Sequence, residues 1–196
     1  PSSDRWGGFA SLRRFGAPAG WRGALGMTAL RSARKGDAPS ITRIDAEGLA
    51  TGHATFREKP HDWSSFEKAY ETGHGISLVA LDGGHVAGWA GVSPTSVREV
   101  YRGVGEVSIY VLIEKQGKGF GCSLLSALIN NAEEQGYWTL IAQIFPENEA
   151  SLSLHEACGF KRLGVRSRLG RMTYGPHARR WRDVVMMERR SNLIGK

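Results

Sequence analysis

Residues 106–121 read EVSIYVLIEKQGKGFG, and two periods meet inside that stretch. Its first half alternates. Val107, Ile109 and Val111 fall on one face of a strand, and Glu106, Ser108 and Tyr110 fall on the other. Its second half, Gln116-Gly117-Lys118-Gly119-Phe120-Gly121, is a glycine-spaced loop. Beyond the loop, Phe120, Leu124, Leu125, Leu128, Ile129 and Ala132 recur at helical spacing. The order is therefore strand, glycine loop, helix N-terminus. That order aims unpaired backbone N–H groups, and the positive end of a helix dipole, at one point in space. Glycine also admits positive φ and lets a phosphate approach with no Cβ in the way.

Two familiar nucleotide-binding loops are excluded. There is no Gly-x-x-x-x-Gly-Lys-Ser/Thr, so this is not a P-loop. The spacing is not Gly-x-Gly-x-x-Gly, so the dinucleotide fingerprint is missing too. A plain strand-to-helix turn is the simpler reading of the loop on its own, since glycine punctuates turns freely.

Working outward, 196 residues suffice for one domain with a sizeable core. No apolar run approaches the roughly 20 residues of a membrane span, so no membrane role is expected. The two cysteines, Cys122 and Cys158, lack metal-ligand spacing. They are expected as reduced packing thiols in a cytoplasmic protein, with no metal bound. A net charge of +7 fits either nucleic acid or an anionic small ligand. Aromatic residues are not interleaved with Lys and Arg in an RNA-binding pattern, so the small ligand is preferred.

Residues 1–26 show neither helical nor strand period, and they carry Arg5, Arg13, Arg14 and Arg22 against Asp4. They are expected to be a flexible extension outside the fold, with one domain over 27–190 and a short tail over 191–196. Strands are expected at 29–33, 76–81, 85–92, 106–111, 138–145, 160–168 and 181–189. Asp82-Gly83-Gly84 reads as a hairpin turn. Helices are expected after an Asp37 N-cap with Pro39 in the first turn, and after a capping box at Ser64-Ser65-Phe66-Glu67. Others follow the glycine loop and Asn148, the last closed by Gly159. Strands and helices alternating around one sheet make the class α/β or mixed α+β.

A second motif runs from Asn148 to Phe160, NEASLSLHEACGF. Alone it is an N-capped helix with a glycine stop. Gln116, Gly119 and Gly121, followed about thirty residues later by this motif, resemble the GNAT superfamily of N-acetyltransferases. The resemblance implies that superfamily's fold, a central twisted mixed sheet of about six to seven strands flanked by helices. It also implies acetyl-CoA as co-substrate. Its pyrophosphate would lie on Gln116, Gly117, Lys118, Gly119, Phe120, Gly121 and Cys122. Its pantetheine arm would meet Asn148, with Ser151 nearby, and main-chain groups of Ile109, Tyr110 and Val111.

The likeness extends over roughly 28–190. Thr51-Gly52-His53-Ala54-Thr55-Phe56, Gly88-Trp89-Ala90, Ser93-Pro94, Tyr101-Arg102, Leu154-His155-Glu156 and Trp181-Arg182-Asp183-Val184-Val185 resemble the phosphinothricin acetyltransferases. That family includes enzymes for methionine sulfone and sulfoximine, and arsenic-containing analogues share the shape. The resemblance implies acetylation of the α-amino group of a small acidic amino acid, a resistance activity, and a homodimer. Rival readings are protein N-terminal acetylation and a non-catalytic acyl-CoA-binding regulator.

An amine must be neutral to attack, yet an α-amino group is mostly protonated near neutral pH. Glu106 is the candidate base, from its place at the strand start beside the loop. A solvated strand end is the plainer alternative. His155 stands where the superfamily often carries a Tyr that protonates the leaving thiolate. The resemblance also implies substrate contacts from Phe56 and from the loop bearing Ser96, Val97, Arg98 and Tyr101. Thr95 and Ser96 stand where relatives commonly have an aromatic and a further Arg. One anion contact is therefore expected to be missing, and phosphinothricin is expected to be a poorer substrate.

Overall fold

The computed structural model describes residues 28–71 and 73–196, so the extension expected over 1–26 lies outside the described residues. Seven strands form one sheet: β1 (Ala29–Ser32), β2 (Ile76–Asp82), β3 (His85–Pro94), β4 (Val104–Val111), β5 (Thr139–Ile144), β6 (Lys161–Arg171) and β7 (Trp181–Arg190). Their order is β1-β2-β3-β4-β5-β7-β6. Only β4 and β5 run parallel, and every other neighbouring pair is antiparallel. A parallel pair needs a crossover. Here the glycine loop and its helix supply it. The helices are α1 (Ala38–Ala50), α2 (Trp63–Tyr70), α3 (Phe120–Glu134) and α4 (Glu149–Ala157).

The alternation along β4 sorts the core. Val107, Ile109 and Val111 pack with Leu124, Leu125 and Leu128 of α3. Each of those leucines is fully buried and worth about 1.5–3 kcal/mol of transfer free energy. Tyr110 turns the other way and joins Trp89, Phe66, Tyr70, Ile41 and Ile44 under α1 and α2. The hairpin between β2 and β3 forms as expected, with Gly83 at φ 56° and Gly84 at φ 87°.

Three local expectations are corrected. Asp37 does not cap α1 with its side chain. A short 3₁₀ turn, Lys35–Asp37, precedes the helix, and Asp37 has helical backbone angles. Its carboxylate instead grips Arg31 through two bonds of 2.7 Å and accepts the Arg34 N–H at 2.8 Å. The capping box at Ser64 is replaced by Asp62, whose Oδ1 accepts the Ser65 N–H at 2.8 Å. A carboxylate accepts that bond more strongly than a hydroxyl. Finally, β6 runs on to Arg171, three residues beyond the strand expected over 160–168, so residues 172–180 join β6 to β7. β6 follows β7 through two register shifts, with Arg168 at φ 49°.

Residues after β7 lie over Trp138. The Ser191 N–H donates to the Trp138 carbonyl at 2.9 Å, and Gly195 packs against the indole. Among the described residues no helix is long and apolar enough to cross a membrane.

Candidate active site

Parallel pairing of β4 and β5 covers only Val104 to Glu106 against Thr139 to Ile141. Past Glu106 the two strands separate, while β4 stays paired to β3 as far as Val111. The edge of β4 facing β5 is therefore open from Val107 onward, and its backbone groups are available to a ligand. A cleft of about 1110 Å³ occupies the gap. β4, the glycine loop, α4 and the 51–57 loop wall it.

At one end lies the glycine loop. Gly117 has φ 72° and Gly119 has φ 87°, and a Cβ built on either would meet no atom within 4 Å. The backbone is thus bare toward open space. Gly119 is the N-cap residue of α3, so first-turn amides of a 15-residue helix point the same way. Gln116 is fixed by donating from Nε2 to the Val111 carbonyl at 3.3 Å. Across the cleft, Asn148 caps α4: its Oδ1 accepts the Ser151 N–H at 3.2 Å, and its Nδ2 donates to the His53 carbonyl at 3.2 Å.

His155 is buried in the wall of the cleft, at 2 % exposure. Its Nδ1 faces the Ser151 carbonyl at 2.8 Å. A carbonyl only accepts, so Nδ1 carries the proton and Nε2 carries the lone pair. Nε2 has no partner among the described residues. Burial pushes the imidazole below its ordinary pKa, and the Ser151 carbonyl pulls weakly the other way. The ring is therefore neutral near pH 7.

At the other end Glu106 is half-buried, and its Oε1 accepts from Gln143 Nε2 at 3.0 Å. Ser108, next on that face, accepts from the Tyr70 hydroxyl at 3.0 Å. Phe56 stands edge-on to Phe145, ring centroids 4.9 Å apart. Arg182 lies 4.1 Å over Phe145 and is 4 % exposed. It donates to the Gly52 carbonyl at 2.8 Å, to Glu147 at 3.0 Å and to His53 Nδ1 at 3.1 Å. That last bond leaves the proton on His53 Nε2, which faces His177 Nε2 at 3.1 Å. Together with the Tyr174 hydroxyl on the Thr55 carbonyl at 2.7 Å, these contacts tie the Phe56 loop to the 172–180 connection. These contacts brace the wall of the cleft at Phe56.

A splayed parallel pair, a bare glycine loop at a helix N-terminus and a capped helix opposite suit a long, phosphate-bearing thioester. The orphaned Nε2 of His155 adds an unfilled acceptor in the same wall. The model of the acetyltransferase (GNAT) family matches residues 45–160. The chain belongs to the GNAT acetyltransferase family. It is an acetyl-CoA-dependent N-acetyltransferase. It is 36 % identical over 168 residues to the phosphinothricin N-acetyltransferase of Alcaligenes faecalis, covering 83 % of this chain and 82 % of that one. To the L-methionine sulfoximine/L-methionine sulfone acetyltransferase of Pseudomonas aeruginosa it is 32 % identical over 163 residues, 81 % and 92 % of the two chains. Among solved structures, it resembles the phosphinothricin acetyltransferase of Sinorhizobium meliloti crystallised with acetyl-CoA. There the TM-score is 0.74 and identity 36 %, over 83 % and 88 % of the two chains.

The acetyltransferase brings most of the sequence-derived residues to one cleft. Glu106, His155, Phe56, Ile109, Tyr110, Val111, Gln116, Gly117, Gly119, Gly121, Cys122, Asn148 and Ser151 all line it. Two loop residues do not: the Lys118 side chain is exposed, and Phe120 packs into the core at 8 % exposure. What those two can offer a phosphate is backbone. The Tyr110 side chain stacks on Trp89, centroids 4.9 Å apart, away from the face of Ile109 and Val111. Ser96, Val97, Arg98 and Tyr101 line no part of the cleft of their own chain, and Val97 is fully exposed. Among the described residues no three His, Cys, Asp or Glu side chains are grouped to hold a metal.

Arg57, Gln143, His53 and Glu147 also line the cleft, and no sequence motif singles them out as site residues. Arg57 follows Phe56 directly, and that adjacency was the available signal. Gln143 had none. Its partnership with Glu106 depends on how β5 is set against β4, which no local pattern encodes.

Proposed function

We propose that this enzyme acetylates the α-amino group of a small acidic amino acid or analogue of the phosphinothricin or methionine sulfone kind. The observation that carries the reading is the juxtaposition of Glu106 with the open edge of β4, beneath a braced aromatic wall at Phe56. A braced aromatic wall of that kind suits a small molecule better than a protein N-terminus. The substrates named for the Alcaligenes and Pseudomonas relatives support the same class.

Acetyl-CoA supplies the thioester. Glu106 takes a proton from the ammonium of the acceptor, directly or through one water, and Gln143 holds the carboxylate in place as it does so. A backbone N–H at the unpaired edge of β4, near Val111, meets the oxyanion of the tetrahedral intermediate. His155 starts neutral, with Nε2 free, so it is an acceptor first. It takes the second proton from the attacking nitrogen and passes it to the departing sulfur. Holding amine and thioester together in one cleft supplies much of the rate.

The reading extends to a cytoplasmic, homodimeric enzyme that detoxifies amino-acid analogues. Exposed apolar Val97, Val100 and Tyr101 on one loop support self-association. The test is a screen of acetyl-CoA consumption over amino-acid analogues, with peptides bearing free N-termini as the contrast. Turnover of peptides alone would overturn the small-molecule reading.

A further inference from the structure

Arg57 is the only lysine or arginine among the described residues that line the cleft. Its guanidinium is fixed from one side. Nη1 donates to Asp45 Oδ2 at 3.0 Å and to the Lys59 carbonyl at 3.0 Å. Among the described residues Nη2 has only the Tyr110 hydroxyl, at 3.5 Å, the outer limit of a hydrogen bond. No bond from Nε to an acceptor is found among the described residues. The side chain keeps 31 % of its surface exposed. One nitrogen is thus anchored, and the Nε–Nη2 edge, two parallel N–H donors, is left for a ligand. That edge has the geometry that accepts a carboxylate through two bonds.

A purely structural reading would make Arg57 the counter-ion of Asp45. Asp45 is fully buried, yet it is well supplied without Arg57. Its Oδ2 accepts from the His61 N–H and faces His61 Nδ1, both at 2.9 Å, and its Oδ1 accepts from Trp89 Nε1 at 3.1 Å. Burial alone would raise this carboxyl, but the His61 bonds and the Arg57 charge together hold it below the ordinary carboxylate range. Asp45 stays ionised and holds Arg57 in position.

The cleft otherwise carries Glu106, Glu147 and Glu149, which repel an anion. Arg182 is buried and taken up by Gly52, His53 and Glu147, and the loop bearing Arg98 lies outside the cleft. An acceptor with a carboxylate on the carbon that bears its amine therefore has one cleft-lining cation to meet among the described residues of this chain. We propose that Arg57 receives the α-carboxylate of the acceptor through its Nε–Nη2 edge and so sets the amine against Glu106. This rests on the small-amino-acid reading above.

The experiment compares wild type, Arg57→Gln and Arg57→Lys on methionine sulfone, its α-carboxamide and phosphinothricin. Acetyl-CoA affinity by calorimetry serves as the check on folding. Wild type is expected to prefer the acid to the amide. Arg57→Gln should weaken that preference by roughly 10- to 100-fold, the worth of a charge-assisted bond, mainly through KM. Arg57→Lys, which keeps the charge without the fork, should fall between and carries the test if the Gln variant fails to fold. An unchanged acid-to-amide ratio in both variants would overturn the assignment. So would a loss seen with phosphinothricin and absent with methionine sulfone, which would put Arg57 at a side-chain acid. If wild type binds acetyl-CoA but acetylates none of these compounds, the functional reading itself fails and the role of Arg57 falls with it.

Discussion

Asp45→Asn tests the network that holds Arg57. The carboxylate is fully buried, with three donors on Oδ2 and the Trp89 indole on Oδ1. An asparagine here can keep its carbonyl toward the three donors and turn its NH₂ toward Trp89 Nε1. The indole N–H then faces another donor and loses its acceptor, in a ring with no exposed surface. An unsatisfied buried donor costs about 1–3 kcal/mol. The other bonds change from charge-assisted to neutral, roughly halving each. Arg57 also loses its counter-ion, a smaller effect because its side chain is 31 % exposed. The sum is about 3–5 kcal/mol, or a fall in Tm of about 6–20 °C for a domain of this size. Thermal unfolding near pH 7 reads it directly.

The sign of the pH dependence follows. Because the folded carboxyl is held below its unfolded value, its stabilisation is complete above pH ~4, the unfolded value. It is lost as pH falls through the lower folded value. The gap between wild type and Asp45→Asn should therefore narrow in acid. Trp89→Phe removes the opposed donor, so in that background Asp45→Asn should cost about 1–3 kcal/mol less. A cost below about 0.5 kcal/mol, the range of ordinary surface substitutions, would refute the argument. So would strict additivity in the double mutant.

Glu106→Gln keeps the shape and the Gln143 contact but cannot accept a proton. It should lower kcat by about 10²–10⁴ with acetyl-CoA affinity nearly unchanged, and remove the acidic limb of the kcat/KM profile. A wild-type rate would mean another base. A Cβ added by Gly119→Val meets no atom within 4 Å, but the φ of 87° puts the new side chain on a left-handed backbone, and on the reading above it stands where the pyrophosphate of acetyl-CoA would lie. Calorimetry should show acetyl-CoA binding lost while Tm falls by only a few degrees, since left-handed strain costs about 1–2 kcal/mol; intact binding would remove the loop from the site. Ser96→Arg should leave KM for phosphinothricin unchanged if each cleft works alone, because residue 96 lies outside the cleft of its own chain. A lower KM, together with a dimer by sedimentation, would mean that one copy's loop reaches the other's cleft.

Local pattern determined a good deal here. The period-2 run of β4 is followed by glycines and then a period-3.6 run. Together with Asn148 and Gly159 bracketing α4, that was enough to place the central strand, the glycine turn after it and the two helices α3 and α4. Each of those features depends on residues adjacent along the chain or one helical turn apart. The extent of β6 and the Asp62 cap were misjudged by a few residues for the same reason, since neighbouring signals compete there and pairing with β7 decides. Other features required the folded chain. The separation of β4 from β5 after Glu106 opens the cleft, yet no residue announces it. Gln143 reaches Glu106 through the offset of two parallel strands. Arg57 becomes a fixed donor because Asp45, twelve residues earlier, is buried beside it and the Lys59 carbonyl shares the same nitrogen. Arg98, read as the anion contact, stands outside the cleft because the loop between β3 and β4 projects to the surface. Sequence determines which groups a chain carries and the local geometry of its backbone. Which of those groups share one cavity, and which are already satisfied by a neighbour, depends on long-range packing, and that is why the strand–glycine turn–helix order could be read from the sequence while the set of side chains around Glu106 and Arg57 required the structure.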